Sequence, residues 1–220
     1  MKTGKIVKSA TATVVTAGML CAALLAGCGQ AGTTSAPEDR SAQNPVTIES
    51  PTNTPITSDV MDYLAPASAY TKLSSFTAKT IDGKTFTQKD LAKADVTVIN
   101  FWATYCGYCV DELPQIASWA KEQPDNVRVI TVCTDYDSDP VGAQEILNDA
   151  GFTGTTLVAA DGDLDELLFD VTSLPTTIVV DKSGNIATGV LEGAAGDVPA
   201  TFGALVNSAL SAQGKKPANG

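Results

Sequence analysis

Apolar and polar positions follow two distinct rhythms along this chain. Residues 96–101 and 127–133 are short, nearly unbroken apolar runs rich in β-branched side chains, which predicts buried strands. Residues 155–159 and 176–180 read the same way. Between the runs the spacing turns helical. Val110, Leu113, Ile116, Ala117 and Ala120 share one stripe, predicting a helix over 109–121 with a bend at Pro114. Further helices are predicted over 140–150, where Gly151 suits the stop, over 164–169 and over 198–211. Earlier in the chain, 76–81 and 84–87 flank Asp82-Gly83, a hairpin signal. The turn Ser183-Gly184-Asn185 would bring 186–191 back beside 176–180. Strands alternating with helices, then a late hairpin and a closing helix, predict an α/β fold with a mixed sheet covered on both faces.

The N-terminal third lacks both rhythms. Lys2, Lys5 and Lys8 form a basic head, followed by an uncharged apolar run over 10–26 and then Leu25-Ala26-Gly27-Cys28. That order predicts an export signal over 1–27 with a cleavage site. An uncleaved anchor is the alternative, although the run falls short of the ~20 residues that usually span a bilayer. Both readings put the remainder outside the cytoplasm and tethered to a membrane. Residues 28–72 are rich in Ala, Ser, Thr, Pro and Gln, a composition that cannot bury enough apolar surface to offset its ordering entropy. They are expected to form a flexible tether, with a stretch near 60–64 able to pack on the domain. The folded domain is expected over 73–212, about 140 residues around one core, with a disordered tail over 213–220.

Charge and composition remove several function classes. The formal net charge is −11, and losing 1–27 removes three lysines and no acid, leaving −14. Such a surface repels phosphate backbones, so nucleic-acid binding is not expected. There is no histidine. A Ser-His-Asp triad, a Cys-His pair and a histidine metal site are all excluded.

Five cysteines carry the remaining chemistry. Cys21 lies within the apolar run and reads as a small hydrophobe there. Cys133, alone in an apolar run, reads as a core thiol. Cys106 and Cys109 form a Cys-x-x-Cys at the join between a predicted buried strand and a helix. Exchange of thiols and disulfides requires a thiolate, and a helix N-terminus favours the anion through its free N–H groups and dipole. Cys106 would sit at that end and attack. Cys109, one turn into the helix and more buried, would close the ring. Zinc would want two further Cys or His ligands, and only Cys133 remains in the domain, so no metal is expected.

The segment Phe101-Trp102-Ala103-Thr104-Tyr105-Cys106-Gly107-Tyr108-Cys109 resembles the active-site segment of the thioredoxin superfamily. Its continuation, Val110-Asp111-Glu112-Leu113-Pro114, resembles the membrane-anchored TlpA/ResA-like branch. Ser173-Leu174-Pro175-Thr176 is similar to the superfamily's cis-proline segment, and Leu25 to Cys28 to a bacterial lipobox. Two motifs in order make the resemblance specific over roughly the whole domain. It implies a thioredoxin-like three-layer α/β/α fold with a mixed central sheet and an N-terminal β-hairpin extension. It makes Cys106 and Cys109 a redox disulfide and Cys28 the lipid-bearing residue. Trp102, Tyr105, Gly107, Tyr108, Leu174 and Pro175 become the substrate-binding set.

Two departures matter. Thioredoxin carries a buried Asp two residues before the Trp, where this chain has Asn100, which cannot titrate. Glu112, three residues after Cys109 and on nearly the same helix face, is the acid that the anchored branch implicates in taking the proton. The inner pair Gly107-Tyr108 matches neither reductants nor strong oxidants closely, so the potential stays open. The function implied is a monomeric, extracytoplasmic thiol–disulfide oxidoreductase without cofactor. It would reduce disulfides in exported proteins, apocytochrome c or a sulfoxide reductase among them, with electrons from a CcdA-type membrane donor. A disulfide-forming oxidase, a peroxide-reducing enzyme and a copper-binding module are the rivals. The Cys-x-x-Cys speaks against the second and the missing histidine against the third.

Overall fold

The computed structural model describes residues 64–218. The predicted export signal, Cys28 and the tether up to residue 63 lie outside the described residues. Seven strands are present: β1 (Phe76–Thr80), β2 (Thr85–Thr87), β3 (Val96–Trp102), β4 (Val127–Cys133), β5 (Thr155–Gly162), β6 (Thr176–Asp181) and β7 (Leu191–Glu192). Five helices accompany them: α1 (Gln88–Leu91), α2 (Gly107–Lys121), α3 (Pro140–Ala150), α4 (Asp163–Asp170) and α5 (Val198–Ala212). The sheet order is β2-β1-β5-β4-β3-β6-β7. Strands β5, β4 and β3 run parallel, and the other pairings are antiparallel.

Strand β3 is buried along its whole length, as expected of a strand with helices over both faces. Its side chains alternate between two cores. Val96, Val98 and Trp102 pack with α2, α3 and α5, and Ile99 and Phe101 with α1, α4 and the β1–β2 hairpin. Trp119 of α2 meets Phe202 of α5 edge to face, with centroids 5.6 Å apart. Helix α3 starts as its sequence suggests. Asp139 caps it by accepting the Gly142 amide at 2.9 Å, Pro140 opens the first turn and Gly151 closes the last.

Several expectations change. Strand β5 runs on to Gly162 because β1 lies antiparallel beside it, Phe76 opposite Gly162. Helix α1 was not expected. It is one turn opened by a capping box, in which Asp90 accepts the Thr87 amide at 2.8 Å. The strand expected over 186–191 is interrupted. Ile186 pairs with Val180, but Leu191 pairs with Thr177, a register slip of two residues. The slip frees Val190 to exchange both backbone hydrogen bonds with Ala65, at 2.8 and 2.9 Å.

The segment 64–72, expected as tether, is therefore paired with the domain. Leu73 donates to the Gly184 carbonyl at 2.9 Å, Thr71 donates to Asp170 at 2.7 Å, and the Tyr70 hydroxyl donates to Glu192. Two glycines admit this strap. A Cβ on Gly189 would lie 2.5 Å from that of Leu64, and one on Gly184 would lie 1.8 Å from the Leu73 carbonyl oxygen. The start of the tail also returns to the domain. Lys215 pairs with Asp95 at 2.7 Å, and Ala218 donates to Asn207 at 2.9 Å.

Gly184→Ala should therefore destabilise the domain by roughly 2 kcal/mol or more, from a positive φ joined to a backbone clash. Gly203→Ala, in the interior of α5 with open space around it, should stabilise by about 1 kcal/mol. Urea unfolding of the two variants checks both signs.

Candidate active site

Strand β3 ends at Trp102, and four residues later Cys106 occupies the N-cap of the fifteen-residue helix α2. The connection is held from the neighbouring strand. Trp102 lies opposite Cys133 in the parallel register, so the chain beyond both strands emerges side by side. Thr134 donates its amide to the Trp102 carbonyl at 2.9 Å. Asp135 accepts the Thr104 hydroxyl at 2.6 Å and the Thr104 amide at 3.0 Å. Asp135 was missed by sequence reasoning. The signal that could have found it is its place just past the end of a strand parallel to β3.

Cys106 and Cys109 are joined in a disulfide, with Cα atoms 5.2 Å apart. The Cys106 sulfur accepts the Cys109 amide at 3.3 Å, so it fills the role of an N-cap side chain. Free N–H groups and the positive end of the α2 dipole converge on it. Cys106 is half-buried and Cys109 is 1% exposed. Only the first sulfur is accessible to another molecule.

Cys106 opens on a cleft of about 480 Å³. Tyr105, Gly107 and Tyr108 form one wall, and Leu168 with the segment from Val171 to Leu174 forms the other. The Leu174–Pro175 peptide is cis. The Pro175 carbonyl accepts the Gly193 amide at 2.7 Å, and the Thr176 hydroxyl donates to the Ser173 carbonyl at 2.8 Å. Tyr105, Cys106, Gly107, Tyr108 and Leu174 of the predicted set thus meet at one cleft. Trp102 does not line it. It is fully buried with Cys109 and Leu113 against the helix layer, because the alternation of β3 points it there. Pro175 is also buried, one residue behind the lining Leu174.

The neighbouring polar groups have sharply different environments. Asn100 donates to the Thr177 hydroxyl at 3.0 Å, both residues being buried in the sheet. Glu112 is 4% exposed. One carboxylate oxygen accepts the Ala195 amide at 2.7 Å, and the other has no partner among the described residues. Burial raises its pKa above the usual carboxylate value, and the Ala195 amide only partly opposes this. The Cys133 thiol is pushed up to about 12 by burial and by the Asp135 carboxylate, to which it donates at 3.3 Å. Asp135 itself is held low. Burial works against its charge, but the Thr104 hydroxyl and amide outweigh that. Among the described residues no three His, Cys, Asp or Glu side chains are grouped to hold a metal ion.

A sequence model described as the AhpC/TSA family matches residues 70–188. The thiol:disulfide interchange protein HelX of Rhodobacter capsulatus is 32% identical over 103 residues, 47% of this chain and 56% of that protein. The thioredoxin-like protein YneN of Bacillus subtilis is 30% identical over 112 residues, 50% of this chain and 64% of that one. The matches thus span less than two thirds of either relative's length. Among solved structures, StoA from Bacillus subtilis aligns over 56% of this chain and 90% of its own, with a TM-score of 0.46 at 22% identity.

The raised pKa of Glu112 has a signed consequence for stability. Its contribution is whole below the unfolded value of 4.5 and is lost as pH climbs through the raised folded value. The urea midpoint of the unaltered chain should therefore fall above pH 4.5 relative to that of Glu112→Gln. The two should converge at lower pH. Parallel curves would show that Glu112 titrates as an ordinary carboxylate.

Proposed function

The chain belongs to the AhpC/TSA family of thioredoxin-fold proteins, and from that premise we propose that it is an extracytoplasmic thiol–disulfide oxidoreductase working through Cys106 and Cys109. The observation that carries the reading is the asymmetry of the pair. One sulfur caps a helix at the floor of a cleft, and its bonded partner is sealed beneath it. Similarity to HelX, a thiol:disulfide interchange protein, supports the same chemistry.

In the reducing direction the Cys106 thiolate attacks a disulfide of the substrate and expels its first sulfur. A mixed disulfide results. Cys109 then loses its proton and attacks the Cys106 sulfur, which releases the second substrate sulfur. Two electrons and two protons pass to the substrate, which leaves as two thiols while Cys106–Cys109 closes. Glu112, one turn after Cys109, is the proposed acceptor of the Cys109 proton. A carboxylate with a raised pKa is a stronger base than an exposed one, and it sits closer to neutrality. Asn100 cannot serve, being a neutral amide bonded to Thr177. Tyr105, Gly107, Tyr108 and Leu174 bound the space that the substrate disulfide would enter. Pro175 holds that wall from behind.

The direction rests on resemblance to the anchored branch and on the absence of histidine between the cysteines. Reduction outside the cytoplasm requires electrons from within, so a CcdA-type membrane donor is part of the proposal. The clients are exported proteins with disulfides, met by a monomer. The anchor is a lipid on Cys28, supported by the basic head, the apolar run and the small residues before that cysteine.

Single-turnover reduction of a peptide disulfide tests the roles. Cys106→Ser should abolish it, and Cys109→Ser should accumulate a mixed disulfide. Glu112→Gln should slow release of the second thiol by about 100-fold. Activity retained by Cys106→Ser refutes the assignment. An equilibrium potential far above about −270 mV would reverse the direction. For the anchor, Cys28→Ala should lose labelling by a fatty-acid probe in the native host and leave the membrane fraction. Unchanged labelling would remove Cys28 from the reading.

A further inference from the structure

Charge is distributed unevenly over the domain. Between Arg128 and Lys182 the chain carries eleven carboxylates and no lysine or arginine. That stretch includes the loop after β4, helix α4 and the segment to Leu174, which supply one wall of the cleft. The other wall continues into α2, where Asp111 and Glu112 are the only charged residues before Lys121. Four cations lie at the opposite pole of the sheet, whereas Lys72 is exposed on the strap between Thr71 and Ser74, which donate to Asp170 and Asp163 of α4. Lys93 precedes the start of β3, Arg128 lies at the start of β4, Lys182 follows the end of the antiparallel β6, and Lys121 closes α2. The disulfide lies beyond the other end of β3, a strand length away.

The acids near the cleft are available. Asp137, Asp165 and Glu166 are exposed, as is Asp111 one turn after Tyr108. None of these four forms a salt bridge among the described residues. A second observation is independent of charge. Tyr105 and Tyr108, which line the cleft, are 78% and 76% exposed, and Phe169, next to the lining Leu168, is 81% exposed. The two exposed tyrosine rings beside the disulfide are contact groups open to a partner. Aromatic faces attract ammonium and guanidinium groups. The lining itself carries no charged side chain, so the acids around it are the side-chain charges that an incoming segment meets, while the α2 N-terminus acts locally on the Cys106 sulfur.

We infer that the cleft selects cationic polypeptide segments, so that the disulfides it exchanges lie beside lysine or arginine. This rests on the reading of Cys106–Cys109 as an exchanging pair. The rim raises the local concentration of a positive partner and repels an anionic one, and the tyrosines receive its cationic side chains.

The experiment uses the full chain, pre-reduced, and three peptides with one common cystine loop flanked by lysines, by serines or by glutamates. Second-order rate constants are measured at about 10 mM and about 1 M salt, where the screening length falls from about 30 to about 3 Å. The lysine peptide should react faster than the glutamate peptide by about tenfold or more at low salt, shrinking to about twofold at high salt. The combined variant Asp137→Asn, Asp165→Asn, Glu166→Gln should lower the low-salt ratio by about threefold. Equal rates for the three peptides, or a ratio unmoved by salt and by the variant, overturn the charge selection while leaving the exchanging pair intact. Failure to reduce any of the three overturns both.

Discussion

Strand β3 is hydrogen-bonded on both sides, to parallel β4 and to antiparallel β6, and covered on both faces. A strand held in this way cannot slide or tilt without breaking two ladders and two cores. The chain therefore leaves it at one fixed point, Trp102. The end of β4 delivers Thr134 and Asp135 to the connection, and the segment entering β6 delivers the wall from Val171 to Leu174. The accessible sulfur is positioned by backbone whose own freedom was removed by the sheet, and α2 supplies the field at that point.

Two carboxylates, Asp135 and Glu112, lie close to this junction, and their environments set them apart. Cys133 donates to Asp135, whose carboxyl is held below the usual range by Thr104, and burial together with that carboxylate pushes the thiol up to about 12. Glu112 has one hydrogen bond and one bare oxygen in a dry setting, so its proton affinity is raised. A buried thiol and a buried carboxylate, both with raised pKa values, thus coexist near one junction. The number of donors offered to each carboxylate decides which behaviour results.

Much of the central architecture was legible from the chain itself. Strands β3, β4 and β6 announce themselves as nearly unbroken runs rich in β-branched residues, and α3 carries its proline start and glycine stop. The Cys-x-x-Cys stands where an apolar run meets a helical stripe. Elements that depend on distant partners were not legible. The extension of β5 goes with its pairing to β1, and the slip between Ile186 and Leu191 with the pairing of Val190 to Ala65. The Asp135–Thr104 and Glu112–Ala195 contacts join residues 31 and 83 positions apart. No local periodicity encodes such pairings. The side of the strand that Trp102 takes was not legible for a related reason: it packs with Cys109 in the core and does not line the cleft. Adjacency in sequence to a reactive cysteine does not tell which face of the strand a side chain takes.

The strap from Leu64 to Leu73 has a colloidal consequence. A sheet edge with free N–H and C=O groups is a template for adding a strand from another chain. Here the β7 flank is met by Ala65, and the next residue is Pro66, which has no amide to offer. The opposite rim is β2, three residues long and bracketed by Lys84 and Lys89. Both margins of the sheet are thus poor seeds for β-aggregation, even where many copies are crowded together.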